Sequence, residues 1–269
     1  MRHSPNRKAI IAFVGASLLL ASLALGLTKA RSVLNRRNSG SSNIRLKEMP
    51  RVILWAWERP TDLRFINPHD VGVAFLARTI RLRANEVTVR PRQQPLNLPE
   101  DSTVIAVARV ESDLISKPEL TNQQRDNLAV AIVEMAKLPH VFHIQIDFDA
   151  TRTERAFYRD VILNVRRRLP DTVSLSITAL ASWCTYDDWL SGLPIDEAVP
   201  MLFRMGIDEK QINSRLETGE DFSTPLCGQS YGVSTDEPRA NLSPARRLYV
   251  FNPVLWTEAS VRTILESRK

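Results

Sequence analysis

The 269-residue chain predicts an α/β fold, on three observations. Strand-like and helix-like stretches alternate along most of its length, the pattern that gives parallel strands covered on both sides. Residues 141–149 alternate without a break, with Phe142, Ile144, Ile146 and Phe148 on one face and His143, Gln145, Asp147 and Asp149 on the other. Period two means a strand. With helical stretches at 121–138 and 153–169 on either side of it, its polar face belongs in an interior with an opening. The third observation is that the chain has only nine glycines, and none forms the Gly-rich turn that a doubly wound open sheet places after its first strand. A (β/α)8-type TIM barrel, small and irregular with some helices short or missing, fits best. The doubly wound sheet is the alternative. Barrels of this kind keep their chemistry at the C-terminal mouth.

The elements follow in order. Arg2, Arg7 and Lys8 precede a charge-free run from Ala9 to Leu27, which is close to the ~20 residues that span a bilayer. A basic start before an apolar core is a targeting signal. Residues 1–28 are therefore expected to be a signal anchor, with a cleaved signal peptide as the alternative. Residues 29–49, rich in Asn, Ser and Arg, read as a flexible linker. The barrel domain is expected over 50–269. Strands are predicted at 51–58, 71–77, 86–90, 103–111, 141–149, 175–181, 199–205, 231–234 and 248–251. Thr121 with Gln124 three residues on predicts a capping box for the first helix, with Leu128, Ile132 and Met135 as its stripe. Phe157, Val161, Val165 and Leu169 predict the second helix, and Thr257 caps a last one. Residues 206–228 show no strand pattern and read as a long loop with room for a short helix.

Charge narrows the function classes. The net charge of +6 suggests a nucleic-acid binder until its distribution is examined. Residues 1–47 hold nine of the 36 basic side chains and no acidic one, which leaves 27 basic against 30 acidic, a balance of −3. No basic nucleic-acid face is indicated for the globular part. The chain contains no GxxxxGK[ST], GxSxG, HExxH or GxGxxG sequence, which argues against nucleotide, serine-hydrolase and zinc-protease chemistry. Cys184 and Cys227 are too far apart for a CxxC motif. They form a disulfide if the domain is exported and two buried thiols if it is not.

Four segments carry a resemblance: Val52–Pro60 (VILWAWERP), Gly72–Thr79 (GVAFLART), Gln145–Ala150 (QIDFDA) and Leu175–Cys184 (LSITALASWC). Together they resemble the bacterial domain of unknown function 3142 family, over most of residues 50–265. That resemblance implies a glycoside-hydrolase-like barrel and carries no catalytic residues with it. The QIDFDA strand is also weakly similar to the fourth strand of chitinase-like barrels, where alternating aspartates precede a glutamate acid. Here Thr151 occupies the glutamate position and the next glutamate is Glu154, a departure from the substrate-assisted chitinase mechanism.

Glycoside hydrolysis needs one protonated and one ionised carboxyl across the scissile bond. Asp149, last on the polar face of its strand, is the expected acid or nucleophile, with Asp147 or Glu111 as partner. Trp55, Trp57, Trp183, Arg204 and Gln145 are the expected substrate-binding residues. Trp183 stands out because it ends a strand and enters a loop, and Trp256 also lies near a strand end. No metal and no cofactor are expected, although His143 beside Asp147 and Asp149 is a possible ligand set. The expected partners are a polysaccharide or oligosaccharide and, through the N-terminal helix, a membrane. The expected location is the inner membrane with the domain in the periplasm, or secretion after cleavage. The alternative functions are a non-catalytic carbohydrate-binding or envelope assembly protein on the same scaffold. A purely structural use of these acids, in salt bridges to Arg109, Arg152 or Arg204, is the third possibility.

Overall fold

Eight apolar runs form parallel strands that close on themselves. A computed structural model of the chain describes residues 46, 48–237 and 242–268. The expected hydrophobic helix and nearly all of the expected linker lie outside the described residues. Among the described residues, no helix is long and apolar enough to cross a membrane. One compact unit spans Glu48–Lys269. Met49 is already buried, so the last residues expected in the linker belong to the domain.

In chain order the strands are β1 (Val52–Ala56), β2 (Thr61–Asp62), β3 (Val71–Arg83), β4 (Glu86–Pro91), β5 (Leu96–Asn97), β6 (Val104–Ser112), β7 (Val141–Asp147), β8 (Ser174–Leu180), β9 (Glu197–Met201), β10 (Ser230–Ser234) and β11 (Arg247–Phe251). The helices are α1 (Asn122–Val133), α2 (Arg155–Arg168), α3 (Ala181–Thr185), α4 (Glu209–Glu217) and α5 (Glu258–Glu266). The barrel runs β1-β3-β6-β7-β8-β9-β10-β11, and β1 pairs in parallel with both β3 and β11 to close it. All five residues of β1 are buried, as expected for a strand covered on both faces. The outward set, including Leu54, Val73, Ala106, Ile144 and Ile177, packs with the helices in one core.

The barrel is irregular in its first third. No helix separates β1 from β3 or β3 from β6. Instead β3 runs for 13 residues, and its second half forms an antiparallel hairpin with β4 beyond the barrel. The strand was expected to stop at Ala77. A register shift against β6 between Leu76 and Arg78 explains the difference, because a bulge breaks the period-two pattern while the strand continues. Past it, Thr79, Arg81 and Arg83 alternate with Ile80 and Leu82, which are buried.

The expected capping box at α1 forms only in part. The Thr121 side chain accepts from the Gln124 amide as predicted. The Gln124 side chain accepts from Leu120 N instead of from the cap residue. Its Nε2 donates to Ala84 O at 3.1 Å and Glu86 O at 2.9 Å, so it pins the hairpin turn. The full capping box is at α5, between Thr257 and Ser260. In the 206–228 segment, α4 is the short helix for which the expected loop left room.

Candidate active site

The polar face of β7 points into the barrel, and each residue occupies its own layer. His143 Nδ1 lies 2.6 Å from Ser174 Oγ. Gln145 is fully buried; its Oε1 accepts from Trp55 Nε1 at 3.0 Å, and its Nε2 faces Ser176 Oγ at 3.4 Å. On the far side of the interior, Glu197 accepts from Arg247 Nη1 at 2.9 Å and from the Tyr249 hydroxyl at 2.8 Å. Buried polar groups paired in this way plug the barrel rather than open it. Gly232 makes room for this packing, because a Cβ there would meet Met201 Sδ at 2.8 Å and the Trp55 ring at 3.2 Å.

The uppermost layer carries the carboxylates. Asp147 is 5% exposed. Its Oδ1 accepts from Thr178 Oγ1 and its Oδ2 from Arg109 Nη1, each at 2.7 Å. Arg109 Nη2 stands 3.4 Å from Asp149 Oδ2, and its Nε lies 3.9 Å from Glu111 Oε1. One guanidinium therefore organises three acids from two neighbouring strands. Burial works against the charge of Arg109, but the surrounding carboxylates, Asp147 foremost, raise its pKa and keep it protonated.

Asp149 lies just past the end of β7, with 54% of its side chain exposed. Its pKa is raised above the ordinary aspartate value. Partial desolvation in the concave mouth is the first cause and the Asp147 charge the second, with Arg109 opposing both. Among the described residues, Glu111, 40% exposed, has only the distant ion-pair contacts to Arg109 and to Arg81 at 3.7 Å. Of the three acids around Arg109, Asp147 is anchored and Asp149 and Glu111 are open.

Above them is a cleft of about 970 Å³. Its floor includes Trp55, Asp147, Thr178 and Met201. One wall is aromatic: Phe203 and Phe251 stack at 5.7 Å, and Trp57 meets Phe251 edge-on at 6.1 Å. The opposite wall is the β3–β4 hairpin, through Thr79, Arg81, Arg83, Glu86, Thr88 and Arg90. A second cavity of about 750 Å³ adjoins the first, and both are lined by Arg81, Arg109, Glu111, Asp113 and Asp149. Asp149 and Glu111 therefore stand where two arms of one groove meet.

Several expected site residues are placed elsewhere. Trp183 is buried at 2% exposure in α3, edge-on to Trp189 at 4.9 Å and beneath the Arg155 guanidinium. It is a core side chain and offers no face to a ligand. Trp256 is also buried, donating to Trp55 O. Gln145 lies a layer below the cleft and orients Trp55 instead of touching a substrate. Arg204 does reach the mouth, but it pairs with Asp236 at 3.0 Å and lies over Phe203 and Phe251. Arg109, not Arg204, holds the barrel carboxylates. Glu154 is buried, accepting from Ser112 Oγ and from the Thr151 amide and hydroxyl; it ties down the loop after β7. Cys184 and Cys227 form a disulfide. The aromatic wall was missed except for Trp57, although Phe203 follows Met201 by one pleat and Phe251 ends the last strand. Among the described residues, no cluster of His, Cys, Asp or Glu could hold a metal ion.

No protein-family profile matches the chain, and no curated protein does. Among solved structures, the chain is similar to the Bacillus cereus spore cortex-lytic enzyme SleL. The TM-score is 0.45 at 15% identity, covering 68% of this chain and 51% of that one. The chain thus spans about half the length of that protein.

Proposed function

We propose that the barrel mouth binds a polysaccharide or oligosaccharide chain and hydrolyses a glycosidic bond, with Asp149 as the acid and Glu111 as the ionised partner. The observation that carries this reading is the pair of open carboxyls on either side of Arg109, facing an aromatic wall across a long groove. Aromatic faces accept the apolar faces of sugar rings. Neighbouring strands lie about 4.8 Å apart, so groups from β6 and the end of β7 can flank one bond. A raised pKa suits Asp149 to donate a proton to the leaving oxygen. Asp147 is the poorer partner because both of its oxygens are engaged; it positions Arg109. The test is to incubate the purified protein with a panel of cell-surface polysaccharides and measure both binding and new reducing ends. Release of ends that Asp149→Asn abolishes supports hydrolysis.

The second reading is carbohydrate binding without turnover. What favours it is the extent to which Arg109 and Asp147 are committed to each other as a structural pair. In that case the same panel shows binding, no new ends, and little effect of Asp149→Asn.

We also propose that the domain works outside the cytoplasm, tethered through Ala9–Leu27, and that the chain belongs to the domain of unknown function 3142 family. The Cys184–Cys227 disulfide supports the location, since such bonds persist in oxidising compartments. A C-terminal reporter active only in the cytoplasm should stay silent; its activity would refute the topology.

A further inference from the structure

From the hairpin wall we infer that the saccharide bound in this cleft is anionic, its acidic groups held by a row of arginines on β3 and β4. The inference rests on the saccharide reading above and specifies its substrate class. The cleft face of the hairpin carries Thr79, Arg81 and Arg83 on one strand. Arg90, Thr88 and Glu86 stand directly opposite them. The hairpin's own side chains on this face are three guanidiniums and one carboxylate, with Glu111 and Asp113 at the end of β6 beside Arg81 and Arg83.

These arginines differ from the others in the mouth. Arg109 is compensated by Asp147 and Asp149, and Arg204 by Asp236. Among the described residues, Arg83 and Arg90 form no ion pair, although Asp113 lies near enough for Arg83 and Arg81 to lower its pKa; Arg90 makes only a 3.5 Å contact to Thr79 Oγ1. Arg81 has Glu111 at 3.7 Å and remains 60% exposed. Arginines that only needed solvation could point anywhere from an exposed hairpin. Arg81 and Arg83 instead share one face of β3, roughly 6.6 Å apart, and that face is turned to the cleft. The tip that presents them is fixed in place. Ala84 N donates to Ser116 O, Glu119 N donates to Ala84 O, and Gln124 binds the carbonyls on both sides of the turn. A pinned row of guanidiniums suits planar or tetrahedral oxyanions, which it meets with charge-assisted paired hydrogen bonds. The carboxylate of a uronic acid and a phosphate or sulfate ester share this chemistry.

The test compares acidic polysaccharides with their neutralised forms on the full-length protein: polygalacturonate against its methyl ester, alginate against its carboxyl-reduced form, and a glucan bearing phosphate monoesters against its phosphatase-treated form. The carboxylate and phosphate arms separate the two sources of charge. At least one acidic polymer should bind about tenfold or more tightly than its neutral form, with affinity falling as salt rises. The double variant Arg83→Gln/Arg90→Gln should lose that preference and flatten the salt dependence, with its melting temperature unchanged because both side chains are exposed. Equal binding of charged and neutral forms, or a preference that survives in the double variant, overturns the inference. If the neutral forms are bound and cleaved with Asp149 required, the site reading stands and only the anionic class fails. If no polysaccharide of either kind binds, the saccharide reading itself fails, and the anionic class with it.

Discussion

Replacing Asp149 with Asn removes one ionisable group and leaves the shape of the side chain intact. Its effects on activity and on stability should separate. If Asp149 is the acid, turnover should fall by at least about a hundredfold, the low end for general acid–base groups, or roughly 2.7 kcal/mol of transition-state stabilisation. Stability should hardly change. The contact to Arg109 is 3.4 Å long on a side chain that is 54% exposed, and such pairs contribute about 0–1 kcal/mol. The pKa adds a sign. Burial and Asp147 raise the folded-state pKa above the unfolded value, so between the two the folded state binds more protons. Stability therefore falls as pH rises through that window. Asn has no such term, so the variant should be as stable as the wild type or slightly more so at neutral pH, and the two should converge in acid. Turnover by the wild type should decline as pH rises past the raised pKa. The assay is reducing-end release alongside thermal melts across pH. A variant that unfolds, yet keeps its specific activity per folded molecule, would refute the assignment and place the site elsewhere.

Four further outcomes are expected. Glu197→Ala removes the carboxylate that Arg247 and Tyr249 share inside the barrel and should cost about 3–5 kcal/mol in denaturant titrations; a loss under about 1 kcal/mol would contradict the plugged interior. Reducing the Cys184–Cys227 bond, whose partners are 43 residues apart, should cost roughly 4 kcal/mol in the chain-entropy view, seen as a lower melting temperature with reductant. Trp57→Ala and Trp183→Ala should behave oppositely. The first should weaken ligand binding with a small effect on stability, and the second should cost about 3–5 kcal/mol without a direct binding defect. Glu111→Gln should reduce turnover far more than Asp147→Asn reduces it per folded molecule if Glu111 is the partner; the reverse order would return that role to Asp147.

The local pattern of the chain was enough for the parallel α/β barrel and for the polar face that lines its interior. Period-two alternation in 141–149 and apolar runs such as Val52–Ala56 depend only on which side chains must leave water, and that is written in the order of residues. Asp147 and Asp149 were legible for the same reason, since a strand that presents one polar face inside a closed sheet has a single place for it. Three things were decided only by tertiary structure. The bulge after Leu76 hid the continuation of β3, because one inserted residue reverses the alternation by which a strand is recognised, and with it went the arginine wall. The division of labour among the acids depends on Arg109 and Thr178 reaching Asp147 from neighbouring strands, contacts that register sets and sequence spacing does not. Burial also separated the tryptophans: Trp57 at a strand end meets the cleft, while Trp183, equally close to a strand end, turns into a short helix and packs against Trp189. A large aromatic satisfies the same hydrophobic pattern in either place, so only the packing around it determines whether it lines the cleft or joins the core.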